Sequence, residues 1–548
     1  ATGRDHLTPG RNPDSAGANR PWNQTHDVRH RAPPPMKRQS ALPSARTAGV
    51  GLHISSLPGP FGIGDLGAGA HRFVDAMRRM RLGVWQLLPL GPTGYGNSPY
   101  QPLSSFAGNE MLIAPDDLQE LGLLSDSDLA ELRTLPADRV DYDRLIPLKS
   151  KLLATAATRF ATRAGSALLS EFDRFQDEHG AAWLNDYALF RVLKSLHGGR
   201  AWPDWDDEVT RRDPRALQHV AARNTDALTT IRILQFFFDR QWRRLRAHCN
   251  DAGIRLLGDL PIYVALDSAD AWSTRDLLRL DADGRPDAVA GVPPDYFSAD
   301  GQLWGNPLYD WAAHADSGYA WWIDRVRASL RLADLVRIDH FRGFESYWAV
   351  PAGAETARSG RWEPGPGDAL FDALRDALGG LPIIAEDLGV ITQEVEDLRD
   401  RQELPGMVVL QFAVCDPEFV YADMRENCVC YTGTHDNDTT LGWFQGAGSD
   451  TRDEAAVRET QGTALALTGG TADTVVADFM HAAFASNARL AVVPLQDLLG
   501  LGSDARMNTP GRGGDNWCWR ARESQIDDKL CDNVANITGR TGREIADG

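Results

Sequence analysis

The chain has 548 residues, of which 43% are hydrophobic and 24% are charged, as in an ordinary globular protein with a large core. Its 57 Lys and Arg against 76 Asp and Glu give a net charge of −19. This negative charge repels nucleic acid and anionic lipid, and no run of about 18 apolar residues predicts a membrane span. Neither nucleic acid nor membrane is therefore an expected partner, whereas a neutral substrate is compatible with the charge.

Residues 1–46 differ in composition from the rest of the chain. They are rich in Arg, Pro, Asn and Ser, have almost no apolar periodicity and lack the apolar segment of a signal peptide. We predict a disordered N-terminal extension over 1–46 and a catalytic unit over 47–548. Met36 is a candidate natural start, in which case the preceding 35 residues are foreign to the protein.

Short apolar runs recur along the remaining chain, and helix-like segments follow most of them. Continuous apolar character is typical of parallel strands that are covered on both faces. Eight such runs predict an α/β protein with a (β/α)8 TIM barrel. The runs are Gly49–Ile54, Val84–Leu90, Ile254–Ile262, Leu335–Ile338, Leu381–Ala385, Met407–Phe412, Val429–Thr432 and Leu490–Leu495.

Two gaps between these runs exceed the length of about 30 residues that one barrel repeat needs. The first gap predicts a mainly helical inserted subdomain at about 109–247. The second, at about 263–330, contains GVPPDYFSADGQLWGNPLY and predicts an inserted substrate-loop subdomain. Because both insertions follow strands, we expect them at the catalytic rim of the barrel.

The six cysteines are sparse and form no CxxC pair. They indicate free thiols in a reducing compartment, and we predict a cytoplasmic protein. A zinc site is the weaker alternative.

Four acidic residues end apolar runs: Asp259, Asp339, Glu386 and Asp436. A carboxylate at the end of an apolar strand is desolvated and needs partners, and any one of the four has a structural explanation as a turn or helix cap. Four in a barrel are expected to converge on one mouth.

A cluster of carboxylates without a metal suits glycoside cleavage, in which one acid protonates the leaving oxygen and another attacks the anomeric carbon or activates water. Arg337 shares a strand face with Asp339, where its cation would keep that carboxyl ionised; a structural salt bridge is the other interpretation. His340, His435 and Asn437 offer neutral donors for sugar hydroxyls.

A metal at the HDND segment is the rival hypothesis. The segment lacks a known metal-loop spacing, so we predict neither metal nor cofactor.

These segments resemble the amylomaltase (disproportionating enzyme) family, glycoside hydrolase family 77 of the α-amylase clan. LVRIDHFRGF, IIAEDLG and GTHDNDT resemble the three carboxylate regions of the clan, and GDLPIYVALDSADAW its first region. GLHISSLPGPFGIGDLG, YGNSPYQPLSSFAGN, GVPPDYFSADGQLWGNPLYDW and PLQDLLGLGSDARMNTPG are more specific to the family. The family has no C-terminal β-domain, and only about 50 residues follow the last predicted strand here.

The resemblance implies a role for each matching residue. Asp339 would be the nucleophile, Glu386 the acid and base, and Asp436 the residue that holds the sugar hydroxyls. The resemblance also implies a set of substrate contacts, to which His340 is added as a neutral donor: Arg337, His435 and Asp259 around the cleaved bond, Tyr95, Ser98 and Tyr100 on a rim loop, and Tyr296, Phe297, Gln302 and Trp304 on a flexible loop that closes over the glucan.

The implied activity is that of a retaining 4-α-glucanotransferase, which passes an α-1,4-glucan segment from maltooligosaccharide or starch to an acceptor sugar. An α-1,4-glucan hydrolase with the same site is the nearest alternative, and the closing loop favours transfer. A non-catalytic glucan-binding protein and a phosphate-binding barrel enzyme are weaker alternatives, since all carboxylates are present and no phosphate-loop pattern occurs. We expect a monomer or homodimer whose partners are its glucan substrates.

Overall fold

The structure is a computed structural model that describes residues 41–294, 300–447 and 452–545. Most of the predicted extension and the predicted substrate contacts Tyr296 and Phe297 lie outside these residues. In the described part of the chain, no helix combines the length and apolar character that crossing a membrane requires.

Twelve strands occur in the described residues. In chain order they are β1 (Thr47–Gly51), β2 (Val84–Gln86), β3 (Arg255–Leu260), β4 (Ala288–Val292), β5 (Gln302–Pro307), β6 (Leu335–Ile338), β7 (Ser346–Pro351), β8 (Arg361–Pro364), β9 (Ile383–Ala385), β10 (Gly406–Val409), β11 (Cys428–Tyr431) and β12 (Leu490–Pro494).

Helices connect and cover these strands. In the same described ranges they are α1 (Ala68–Arg79), α2 (Pro115–Glu120), α3 (Asp126–Leu129), α4 (Tyr142–Arg163), α5 (Ser166–His179), α6 (Asn185–Leu196), α7 (Asp207–Thr210), α8 (Pro214–Arg223), α9 (Thr225–Asp251), α10 (Ala269–Ser273), α11 (Trp311–Asp316), α12 (Ala320–Leu332), α13 (Asp368–Leu378), α14 (Gln393–Arg401), α15 (Leu410–Ala413), α16 (Thr440–Gln445), α17 (Glu454–Thr468), α18 (Val475–Ala485), α19 (Leu495–Leu498) and α20 (Asp528–Arg540).

Eight parallel strands form one sheet in the order β10-β11-β12-β1-β2-β3-β6-β9. The amide of Ala385, at the end of β9, donates to the carbonyl of Pro405, directly before β10, at 2.9 Å, and this bond brings the two edges of the sheet together. The predicted (β/α)8 barrel is confirmed, and each of the eight predicted runs overlaps one of its strands.

The interior of the barrel is filled by aliphatic side chains from its strands. Val84, Leu257, Leu335, Ile384 and other strand residues pack into one buried cluster. Because the strands are covered by helices outside and by this cluster inside, their sequences are apolar on both faces.

The last six residues of the predicted extension are described, and they lie against the barrel. Leu42 belongs to the cluster that fills the barrel interior. The guanidinium of Arg46 donates to the carbonyl of Phe484 at 2.8 Å. The first strand begins directly after this segment, at Thr47.

Helices α2–α9 lie between β2 and β3. Helix α9 is 27 residues long and runs through residue 247, the predicted end of the first insertion. Its Phe236 and Phe237 pack against Phe160 of α4. The helix therefore links the insertion to the barrel, since its C-terminal end leads directly into β3.

A second sheet, antiparallel and four-stranded, has the order β5-β4-β7-β8. Strands β4 and β5 lie in the second predicted insertion, whereas β7 and β8 follow barrel strand β6 and have no counterpart among the predicted elements. After β12, the described residues 495–545 contain α19, α20 and short turns but no strand.

Candidate active site

Neighbouring barrel strands bring four of the predicted residues into one row. Asp259 of β3 is paired in register with Arg337 of β6. Ile338 is paired with Ala385 of β9, so Asp339 and Glu386 follow directly at adjacent strand ends. Since the carboxyl ends of parallel strands lie at one face of a barrel, register alone determines this grouping.

Arg337 lies between two of these carboxylates. Its Nη1 is 2.5 Å from Oδ2 of Asp259, and its Nη2 is 2.9 Å from Oδ1 of Asp339. Its side chain is 5% exposed, and that of Asp259 is fully buried. Burial opposes the charge of the guanidinium, but the two carboxylates outweigh it and raise the pKa of Arg337. The cation is therefore fixed beside Asp339.

Burial raises the pKa of the carboxyls of Asp339 and Glu386 above their usual range. Arg337 opposes the shift in both, whereas the negative charges of Glu386, Asp259 and Asp436 add to it at Asp339. The ion pair with Arg337 belongs to Asp339 alone, because Glu386 has no cation at salt-bridge distance among the described residues. Two carboxyls with raised pKa values and unequal partners are suited to hold one proton between them.

The backbone of His340 links these two carboxyls. His340 has a φ of 53°, in the left-handed region, which is uncommon for a residue with a side chain. In this conformation its amide donates to Oε2 of Glu386 at 2.7 Å, and the amide of Leu388 donates to Oε1 at 3.0 Å. Burial lowers the pKa of the His340 ring to about 3, so the ring is neutral.

Asp436 follows β11 and is held from two directions. Its Oδ1 accepts from Nδ2 of Asn508 at 2.6 Å, and its Oδ2 is 3.4 Å from Nε2 of His435. The guanidinium of Arg506 donates to the backbone carbonyl of Asp436 at 2.7 Å. The C-terminal segment therefore orients the carboxylate of Asp436. The sequence analysis did not predict these contacts from Asn508 and Arg506.

An aromatic group connects Asp436 to Asp259. The ring of Tyr100 stacks on His435 with centroids 5.0 Å apart, and Trp517 lies 5.9 Å from both rings. The hydroxyl of Tyr100 donates to Oδ2 of Asp259 at 2.5 Å. Burial lowers the pKa of His435, so this group presents neutral donors beside the carboxylates.

A cavity adjoins this group, because His435 is one of the residues that line it. Its lining also includes Arg337, Asn437, His53, Gln86 and Tyr431. Burial lowers the pKa of His53 to about 3. Most of the polar groups that line the cavity are therefore neutral donors and acceptors, which suit hydroxyl groups.

The other predicted contacts are more dispersed. Tyr95 is 92% exposed, and Ser98 accepts from the amide of Tyr100 at 3.2 Å. The prediction of a loop for Gln302 and Trp304 is wrong, because both lie on β5, which pairs with β4. Gly and Pro around LWG suggested a loop, but the pairing with β4 satisfies the backbone there. The ring of Trp304 packs against His340 at 4.8 Å.

No group of three or more metal-binding side chains occurs in the described ranges 41–294, 300–447 and 452–545. In the HDND segment, Asp438 accepts from the hydroxyl of Ser503 at 2.6 Å and from the amide of Thr439 at 2.8 Å. These bonds give Asp438 a structural role.

The carboxylates and the arginine meet at the carboxyl ends of the parallel strands. This architecture is that of the (β/α)8-barrel enzymes, whose active sites lie at this face of the barrel. The sequence profile of glycoside hydrolase family 77, described as 4-α-glucanotransferase, matches residues 52–525. The chain therefore belongs to this family, as the resemblance predicted.

Individual proteins that are similar to this chain carry the same family description. The 4-α-glucanotransferase of Synechocystis sp. is 47% identical over 506 residues, which cover 91% of this chain and 98% of that protein. The 4-α-glucanotransferase of Thermus thermophilus is 46% identical, with 88% and 96% covered. The solved amylomaltase of Streptococcus agalactiae, in complex with acarbose, superposes with a TM-score of 0.86 at 35% identity and covers 91% of this chain and 100% of that one.

Proposed function

We propose that the chain is a retaining 4-α-glucanotransferase that works by double displacement through a covalent glucosyl–Asp339 intermediate. The observation that carries the proposal is the unequal environment of the adjacent carboxyls. Asp339 is paired with Arg337 at 2.9 Å, whereas the hydrogen-bond donors to Glu386 among the described residues are two backbone amides. A nucleophile must be ionised and a general acid protonated, and this asymmetry assigns the two roles.

In the first step, Glu386 protonates the glycosidic oxygen while Asp339 attacks the anomeric carbon. Burial raises the pKa of both carboxyls and so favours one shared proton, and we assign that proton to Glu386 because the cation of Arg337 is paired with Asp339. Arg337 binds Oδ1 of Asp339, so we assign the attack to Oδ2. The bond to the leaving sugar breaks, and the proton of Glu386 goes to its new hydroxyl.

In the second step, the ionised Glu386 takes the proton from the 4-hydroxyl of the acceptor. The acceptor oxygen attacks the anomeric carbon, and Asp339 leaves as a carboxylate beside Arg337. Asp436, oriented by Asn508, accepts hydroxyls of the distorted sugar ring. Two inversions at one carbon retain its configuration.

We assign the substrate contacts as the sequence predicts them. Tyr100, His435 and His340 face the reacting sugar with neutral groups, and Tyr95, Ser98, Gln302 and Trp304 bind the glucan further along. The exposed ring of Tyr95 is suited to stacking on a pyranose. The cytoplasmic location, the independence from metals and cofactors, and the monomeric or dimeric state stay predictions.

The product pattern from maltotriose tests the proposal. A transferase releases glucose and builds longer maltooligosaccharides while the number of reducing ends stays constant. A hydrolase instead raises the number of reducing ends with every bond that is cut. Chromatography of the products, together with a reducing-end assay on the same samples, separates the two, and Asp339→Ala is the inactive control. A rise in reducing ends in step with cleavage would replace the transferase by the hydrolase.

A further inference from the structure

Trp362 is an exposed aromatic residue outside the predicted site. It lies on β8, the edge strand of the small sheet, and is 40% exposed. Its neighbour Trp348 on β7 is paired with it in register, and their rings meet edge to face at 5.1 Å. A large exposed aromatic side chain on a rigid strand is the kind of surface that binding sites use.

A buried arginine supports the indole ring of Trp362. The guanidinium carbon of Arg342 lies 3.8 Å from the ring centroid, and the residue is only 5% exposed. No carboxylate lies within salt-bridge distance of Arg342 in the described residues, and its guanidinium donates to the hydroxyl of Ser346 at 3.2 Å while it stacks on the ring. A cation stacked on the ring holds it in place, and the exposed 40% of Trp362 remains available to a ligand.

The same arginine joins Trp362 to both catalytic segments. Arg342 is three residues beyond Asp339, and its Nη1 donates to the carbonyl of Val390, four residues beyond Glu386. Val390 is itself 51% exposed. In addition, the amide of Gly365, next to β8, donates to the carbonyl of Glu345 at 2.7 Å. The exposed ring is therefore fixed relative to the acid/base segment.

We propose that Trp362 and Val390 form a stacking surface for the acceptor end of the glucan, beyond the sugars that contact the carboxylates. This inference rests on the proposed transferase function. The aliphatic hydrogens of a pyranose ring carry partial positive charge and pack on the electron-rich face of an indole. The surface adjoins the segment of Glu386, which acts on the oxygen between donor and acceptor, so we assign it to the acceptor side.

The test compares acceptors of different lengths with Trp362→Ala and Trp362→Phe. Aromatic contacts of this kind predict that Trp362→Ala raises the KM for maltoheptaose as acceptor by about 3- to 10-fold. The KM for glucose as acceptor and the kcat should stay as in the unmodified enzyme, and Trp362→Phe should recover most of the loss. Leu196→Ala, which truncates an exposed apolar residue of α6, is the control and should change neither KM.

Calorimetric binding of maltoheptaose to Asp339→Asn protein, with and without Trp362→Ala, separates this inference from the proposed function. A loss of affinity that is confined to the long chain supports the stacking surface even if the product assay shows hydrolysis. Equal KM values for maltoheptaose in Trp362→Ala and the unmodified enzyme would overturn it. A similar loss with glucose and maltoheptaose, together with a lower melting temperature, would also overturn it, since the ring would then only cover Arg342.

Discussion

Replacing Arg337 by Lys tests how the ionised nucleophile is maintained. The guanidinium bonds Asp259 and Asp339 at once, and a single ammonium group cannot reproduce this fork. Loss of one charge-assisted hydrogen bond costs about 1.5–3 kcal/mol. One pKa unit corresponds to about 1.36 kcal/mol, so we expect the pKa of Asp339 to rise by about one to two units. At a pH below this raised pKa, kcat/KM should fall by about 10- to 100-fold.

The dependence of kcat/KM on pH measures this shift. In a bell-shaped profile, the acidic limb reports the group that must be ionised and the alkaline limb the group that must be protonated. We expect Arg337→Lys to move the acidic limb to higher pH and to leave the alkaline limb, which reports Glu386, with a smaller change. Maltotriose disproportionation over a series of buffers at constant ionic strength provides the rates.

Arg325→Lys is the matched control. Arg325 is equally buried but donates to the carbonyl of Ile262 and the hydroxyl of Tyr309 rather than to carboxylates. This variant should lower thermal stability without moving the acidic limb. Arg337→Lys could instead behave like the control, with lower thermal stability and an unchanged acidic limb. The ion pair would then be structural, and our account of the nucleophile would be wrong.

Three further outcomes are expected. Glu386→Gln should slow maltotriose far more than a maltosyl fluoride, because fluoride leaves without a proton; equal losses in steady-state rate on both donors would contradict acid catalysis. Dialysis against EDTA should leave the maltotriose rate unchanged, and a loss that Ca²⁺ or Mg²⁺ restores would show a metal requirement. Gly284→Ala should destabilise the protein in urea unfolding by about 2–5 kcal/mol, because its φ is 79° and the new Cβ would lie 2.1 Å from the ring of Trp202. Gly122→Ala, with a φ of 71° and open space around it, is the control for backbone strain alone, and an equal loss there would show that the ring contact is unimportant.

The barrel was predictable because each of its strands is buried on both faces. Runs such as LVRI and VCYT are buried along their whole length, so they lack the polar face of an amphipathic helix. Each run is followed by a polar segment. The grouping of Asp259, Asp339 and Glu386 follows from the same pattern, since the carboxyl ends of parallel strands share one face. Here the sequence carries both the fold and the position of the acids.

Other parts of the site depend on contacts that leave no periodic signal. Strand β7 pairs with β4, which precedes β6, and the mostly exposed strand β8 pairs with β7, so these strands depend on partners that their local sequence does not reveal. Asn508 bonds Asp436 across 72 positions of the chain. The only signal for Asn508 is its place in the MNTPG segment that resembles the family, because one polar residue in an irregular segment has no pattern of its own.

The segments after β6 and β9 are hydrogen-bonded to each other, and this limits how specificity for the acceptor can vary. The amide of His340 donates to the carboxylate of Glu386, and the carbonyl of Glu386 accepts from the amide of Phe341 at 3.0 Å. A shift of either segment would carry the other with it, so neither acid can be repositioned independently. Variants selected for new acceptors should therefore accumulate changes in the surrounding insertions and keep this pair of segments as one inherited unit.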